Sequence, residues 1–195
     1  MVEEAELALR SDPLSLMKNN QLGEALLYAQ RPGDAEKQLM KTLEMDPHWR
    51  TPLRNLGFVH AATGNYQKCF EVFDQIRLEV NQPGKGITGY IFALLLLGRK
   101  DEAWPWLEQL IHRSEMDPNV SLQTDIALGF LASGDPDRAF TYLHDAYEKR
   151  AGTIFFAMRY PISRILMKHE RYWQLLERMG LRRYYEDERN VAQQV

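Results

Sequence analysis

The sequence has almost no cysteine, no long apolar run and little excess of either charge. Cys69 is the single cysteine among 195 residues, so no disulfide can form within the chain, which suits a reducing compartment. The longest apolar run, Tyr90 to Leu97, is far shorter than the ~20 residues that cross a bilayer, so no membrane partner is expected. A net charge of -3 with both signs spread along the chain offers no broad basic surface for nucleic acid.

A secretion signal is also missing, because Val2 to Arg10 is acidic and amphipathic rather than basic and then apolar. We therefore expect a cytoplasmic location. The hydrophobic content of 45% suits either one compact domain or a short solenoid of repeated units. An internal repeat decides between the two.

A spacing of 34 residues, once extended to 36, recurs along the chain. The positions that repeat are a turn glycine, a small residue and a large apolar residue: Gly64, Gly98 and Gly134; Ala35, Cys69, Ala103 and Ala139; Leu39, Phe73, Leu107 and Leu143. Leu22-Gly23 likewise recurs as Leu56-Gly57, and Asp12-Pro13 as Asp46-Pro47. Each copy reads as two amphipathic helices around a glycine turn. Such a hairpin cannot bury its own apolar faces, so the copies should stack.

This register resembles that of the tetratricopeptide repeat family, over roughly residues 1 to 153. The resemblance implies an all-α, right-handed superhelix that binds proteins and performs no catalysis. Two family positions differ. The usual tryptophan is Asn19, Leu53, Ile87 and Gln123, and the usual tyrosine is Leu26, His60, Leu94 and Phe130. These changes are compatible with the fold, but they give the first helix of each repeat a different set of side chains.

The repeat divides the chain. Residues 1–15 form a partial repeat or capping helix, hairpins span 16–49, 50–83, 84–119 and 120–153, residues 154–181 form a capping segment and helix, and 182–195 a polar tail. The half repeat suggests a piece cut from a longer protein, with a natural capping helix as the alternative. We expect the last helix to run from Ser163 to Met179, with Ile165, Leu166 and Trp173 on its apolar face.

The terminal pattern Arg171-Tyr172, Leu175-Leu176, Met179-Gly180-Leu181 resembles the tails of repeat arrays fused to bacterial signalling domains. In such proteins the other domain is a DNA-binding activator, a cyclase or a kinase. The resemblance implies an alternative function as the oligomerisation or regulatory half of a larger signalling protein. A homo-oligomer would then use exposed aromatic residues, namely Trp49, Trp104, Trp106, Tyr184 and Tyr185.

Two features could indicate chemistry, and each has a structural explanation. The segment from Gly84 to Gly89 satisfies G-x-G-x-x-G, but it follows a predicted helix rather than a strand, so we interpret it as an inter-repeat turn without a nucleotide cofactor. Cys69 and His60 could be a nucleophile and its base, or metal ligands, but the repeat puts both at packing positions. We assign no catalytic, cofactor-binding or metal-binding residues.

The first helices should line the concave side of a stacked array. The residues that face it in this register are Asn20, Gln21, Glu24, Tyr28, Arg54, Asn55, Phe58, Ala62, Lys85, Thr88, Phe92, Ser121, Thr124, Asp125 and Leu128. Amides and cations can hold an extended backbone or a carboxylate, and aromatic rings can take apolar side chains. We predict a groove for a peptide or helical segment of a protein partner. The alternative is a solvated face that binds nothing.

Chaperone-binding relatives clamp a C-terminal carboxylate with lysines, asparagines and an arginine from three repeats. Asn55 and Lys85 match that pattern, but Asn20, Glu24 and Gly89 replace the other three residues. Glu24 would repel a carboxylate. We therefore expect a partner other than a chaperone tail.

Overall fold

The computed structural model describes residues 1–79, 87–117, 121–158 and 161–185, and within these ranges the protein is helical and contains no strand. The α-helices are α1 (Val2–Ser11), α2 (Leu16–Tyr28), α3 (Pro32–Met45), α4 (Arg50–Ala62), α5 (Tyr66–Glu79), α6 (Ile87–Leu96), α7 (Lys100–Met116), α8 (Gln123–Ala132), α9 (Pro136–Glu148), α10 (Thr153–Ala157) and α11 (Glu170–Arg178). Short 3₁₀ helices cover Pro161–Lys168 and Arg182–Tyr184. Among the described helices, none is long and apolar enough to cross a membrane. The predicted all-α class is confirmed.

The chain divides into two compact units, Met1–Arg99 and Lys100–Val195. The first unit contains α1 to α6 and the second contains α7 to α11. The unit boundary falls inside the segment 84–119, so the two helices of that predicted hairpin belong to different units.

Within the first unit, helical hairpins stack in the manner of a repeat. The hairpins α2–α3 and α4–α5 pack internally, and α3 and α5 each contact the first helix of the next hairpin. The first helices also meet, because α4 contacts both α2 and α6. The first helices α2, α4 and α6 therefore lie side by side in this unit. This is an all-α helical repeat, as the 34-residue spacing predicts.

A glycine in α2 and another in α4 explain why the two helices of each of these hairpins lie close together. A Cβ atom added at Gly23 would lie 2.6 Å from Leu39 Cδ2, and one added at Gly57 would lie 2.6 Å from Phe73 Cε2. Leu39 and Phe73 are both buried. The large side chain of the second helix therefore lies directly on the backbone of the first, which brings the two helices close together.

The helix ends follow the predicted turn chemistry. Gly64 has φ +75, a left-handed conformation that favours glycine, and the next amide donates from Asn65 N to His60 O at 2.8 Å. Pro136 begins α9, and Asp135 Oδ1 accepts a hydrogen bond from Arg138 N at 3.0 Å. The prediction that Gly64 is a turn glycine is confirmed.

The second unit differs from the prediction at its C-terminal end. A single helix from Ser163 to Met179 is wrong, because a 3₁₀ helix covers Pro161–Lys168 and α11 begins after His169. The indole Nε1 of Trp173 donates to Met167 O at 2.9 Å, the carbonyl that a continuous α-helix would bond to residue 171. The 3₁₀ helix has three residues per turn, which changes the buried face and leaves Ile165 46% exposed.

Candidate functional site

The residues predicted to line a groove differ in burial. Those buried are Asn20, Tyr28, Asn55, Phe58, Phe92, Thr124 and Leu128, and those at least partly exposed are Gln21, Glu24, Arg54, Ala62, Thr88, Ser121 and Asp125. Lys85 lies outside the described residues. In the first unit, the predicted groove residues that are both polar and accessible on the adjacent helices α2, α4 and α6 are Gln21, Glu24, Arg54 and Thr88, which we call the first-helix face.

The predicted apolar anchors lie in the core. Phe58 is 7% exposed and Phe92 2% exposed, and their ring centres are 5.5 Å apart. Phe73 completes the cluster, with its ring centre 5.3 Å from that of Phe58. The prediction that these rings take a partner's side chains is corrected, because α4 and α6 approach so closely that each covers the other's aromatic residue. The three rings instead pack against one another in the core beneath the first-helix face.

Two asparagines join the first helices beneath the face. Asn55 Nδ2 donates to Asn20 Oδ1 at 3.2 Å, which connects α4 to α2. Asn55 is 1% exposed, and its Oδ1 has no hydrogen-bond partner within the described ranges. A buried acceptor without a hydrogen bond lowers the free energy of unfolding by about 1–3 kcal/mol. The polar group at this helix contact therefore reduces the stability of the fold.

The exposed charges of the first-helix face differ in their bonding. Tyr28 Oη donates to Glu24 Oε1 at 2.9 Å, which fixes the carboxylate on α2. Arg54 is exposed on α4 and forms no hydrogen bond or ion pair with any residue that the structure describes. A guanidinium group in this state can bind a carboxylate through two parallel hydrogen bonds. Arg54 is therefore the available cation of the face.

The second unit holds the other two predicted residues, Thr124 and Asp125. Thr124 Oγ1 donates to Thr153 Oγ1 at 2.9 Å, which ties α8 to the start of α10. Thr124 is 3% exposed and Asp125 is half-buried. Thr124 thus acts in packing between helices rather than at a surface.

A groove between α9 and α11 has no counterpart in the sequence prediction. Its volume is about 320 Å³, and it is lined by Phe140, Thr141, His144, Arg171, Gln174, Leu175 and Arg178. Arg171 pairs with Asp137, and Arg178 Nη2 donates to Glu148 Oε1 at 2.6 Å. These bonds join the two helices, so both cations are already engaged. No sequence pattern indicated this groove, because α9 and α11 do not belong to a common repeat period.

Cys69 and His60, which the sequence analysis placed at packing positions, lie in the core of the first unit. Cys69 is completely buried, and burial raises the pKa of its thiol to about 12. The thiol is therefore protonated at neutral pH and is not a nucleophile. His60 is also buried. Both residues serve packing, as the repeat predicts.

The aromatic residues predicted to form a homo-oligomer contact differ in exposure. Trp104 is half-buried with its ring centre 6.3 Å from that of Phe130, and Tyr185 is 6% exposed. The expectation of exposure is wrong for Tyr185. Trp49 is half-buried and Trp106 is exposed, and the side chain of Tyr184 lies outside the described part.

No protein-family model matches the chain, and no curated protein matches it. Among solved structures, the chain is similar to one titled "Crystal structure of MamA", with 19% sequence identity and a TM-score of 0.47. The match covers 76% of this chain and 86% of that chain. A similarity of this size carries no inference about function.

Proposed function

We propose that this chain is a protein–protein interaction module of the tetratricopeptide type, which holds a peptide or helical segment of a partner on its first-helix face. The observation that supports this most is Arg54, an exposed cation on α4 that pairs with none of the residues the structure describes. It lies on a helix that contacts first helices on both sides. A row of packed helices that presents this guanidinium group suits a ligand that supplies a carboxylate.

The other residues of the face indicate what the ligand should carry. Gln21 and Thr88 can donate to and accept from an extended backbone. Glu24, held by Tyr28, disfavours a second carboxylate over α2 and favours a cation or an amide there. The expected ligand therefore has an acidic residue over α4 and a basic or neutral one over α2. Its affinity should be near the micromolar range, about -8 kcal/mol, as suits a transient scaffold.

Catalysis is not part of the proposal, since the Cys69 thiol is buried and protonated. The alternative, the oligomerisation or regulatory half of a larger bacterial signalling protein, depends on the terminal sequence pattern. Tyr172, Leu175 and Leu176 of that pattern are buried, so packing of α11 accounts for them. The interaction module is the better-supported function.

The test uses random peptides displayed on phage and selected on the whole chain, followed by fluorescence anisotropy with the selected peptides. Arg54→Glu reverses the charge of the face without removing a buried group. We expect it to weaken binding at least ~10-fold, about 1.4 kcal/mol. Selected peptides should be enriched in Asp or Glu.

The matched control is Lys41→Glu, which makes the same charge change at an exposed position of the second helix α3. Lys41→Glu should bind the peptides as the wild type does, and circular dichroism should confirm that both variants are folded. Equal affinity of the wild type and Arg54→Glu for every selected peptide would show that the first-helix face is not the site.

A further inference from the structure

The outward side of α1 carries an apolar side chain between charges of opposite sign. The exposed residues of this helix recur at the spacing of one helical face, and they are Glu3, Glu4, Leu7, Arg10 and Ser11. Leu7 is 62% exposed near the middle of Val2–Ser11, with the acidic residues before it and Arg10 after it. We call this set the outer stripe of α1.

Leucine is out of place at this position of the repeat. The 34-residue step takes Leu7 to Lys41 in α3 and to Gln75 in α5, and both of these polar residues are exposed. No residue of α1 is buried. Leu14, just after α1, is also exposed, at 81%. A leucine exposed where the equivalent residues of the next two hairpins are polar can form the apolar centre of a contact with another protein.

The charges of the stripe complement those of a second copy in one orientation. When two α1 helices lie antiparallel about a two-fold axis at Leu7, the leucines meet, and Arg10 of each copy faces Glu4 of the other. A parallel pair would instead bring like charges together. Arg10 has no partner in the described part of the chain. Glu4 pairs with the Met1 amine through Oε2, which leaves Oε1 for the second copy.

We propose that the outer stripe of α1 is an interface between two copies of this chain, packed antiparallel about Leu7. The interface is isologous, so each favourable contact occurs twice. One short helix from each copy makes a small contact, and the dimer should have a Kd on the order of 100 µM. It uses none of the residues of the first-helix face. A dimer would therefore carry two such faces and gain avidity for a partner with two binding segments.

Sedimentation equilibrium of charge-reversal variants of the whole chain tests the orientation. Arg10→Glu places two carboxylates opposite each other, and Glu4→Arg places two guanidinium groups opposite each other. Each variant alone should dimerise at least ~10-fold more weakly than the wild type. An equimolar mixture of the two should recover the wild-type Kd. In the mixed dimer one chain is acidic at both positions 4 and 10 and the other is basic at both, so opposite charges meet at each contact.

Lys41→Glu is again the control, because it changes the charge equally on α3 and should leave dimerisation unchanged. The proposal is overturned if the wild type is monomeric up to about 1 mM, if Arg10→Glu dimerises as the wild type does, or if the mixture stays as weak as its components. Peptide binding by the Arg10→Glu monomer tests the first-helix face separately.

Discussion

At the scale of single residues, His60 is an ionisable group in the core of the first unit. It is 9% exposed, and its Nδ1 has no hydrogen-bond partner in the described ranges. Burial is the main cause that lowers its pKa below the usual 6.5; Glu36 opposes the shift, Lys68 adds to it and Glu71 opposes it. Burial therefore keeps the imidazole neutral at neutral pH.

The lowered pKa of His60 predicts a loss of stability in mild acid. Below about pH 6.5 the unfolded chain binds a proton at this residue, whereas the folded chain does not until its own lower pKa is reached. The contribution is complete above pH 6.5 and is lost as the pH falls between the two values. Urea unfolding at about pH 7.5 and about pH 5.5 measures this, and the slope for one group cannot exceed about 1.4 kcal/mol per pH unit.

His60→Leu should lose less unfolding free energy than the wild type over this interval. His48→Leu is the control, because His48 is exposed in the turn before α4 and its removal should leave the wild-type pH dependence intact. Equal pH dependence in the wild type and His60→Leu would mean that His60 contributes nothing to it.

At the scale of helices, the ring of Phe73 on α5 is held between the backbones of α4 and α6. A Cβ atom at Gly57 would lie 2.6 Å from Cε2 of the ring, and one at Gly89 would lie 2.1 Å from Cδ1. These atoms are on opposite edges of the ring. Phe73 therefore cannot move away from one glycine without approaching the other.

We call the packing of Phe73 between Gly57 and Gly89 the clamp. It predicts that Gly89→Ala is destabilising although alanine is the better helix former. The added methyl group overpacks the core at a cost of about 1–3 kcal/mol, against a gain of about 1 kcal/mol in helix propensity. Gly33→Ala is the control, because no atom lies within 4 Å of a Cβ at Gly33, and it should be neutral or stabilising. Thermal and urea unfolding measure both.

A second substitution, at Phe73, tests whether the clash with its ring causes the destabilisation by Gly89→Ala. Phe73→Leu removes part of the ring and should cost less in the Gly89→Ala background than in the wild type, because it also relieves the clash. Additive costs in the double variant, or a Gly89→Ala protein as stable as the wild type, would contradict the clamp.

The same helices show how far a sequence can predict this protein. Gly57 and Phe73 were found because they lie within one hairpin, where the contact recurs at a fixed spacing. The role of Gly89 was missed because its contact joins different hairpins. For the same reason the register identified the residues of the first-helix side but not the closeness of α4 to α6, which buries Phe58 and Phe92. The break at His169 was missed because a hydrogen bond from Trp173 to the main chain has no periodic signature.

At the scale of the whole molecule, each hairpin is stabilised mainly by its own contacts and by those of its neighbours. Leu39 in α3 and Leu143 in α9 are equivalent residues of the repeat, and both are buried. Leu39 lies in the first compact unit and Leu143 in the second. In a helical repeat the stability is approximately a sum of such local terms.

Truncating these two residues should therefore affect different helices. Leu39→Ala and Leu143→Ala each remove a buried side chain at a cost of about 2–5 kcal/mol. Native-state hydrogen exchange followed by mass spectrometry should show faster exchange in α2 and α3 for Leu39→Ala, and in α8 and α9 for Leu143→Ala, since exchange reports local opening. Lys41→Ala, at an exposed position of α3, should change neither pair. If both leucine variants accelerate exchange equally in every described helix, the chain unfolds as one cooperative body, and the local account of its stability is wrong.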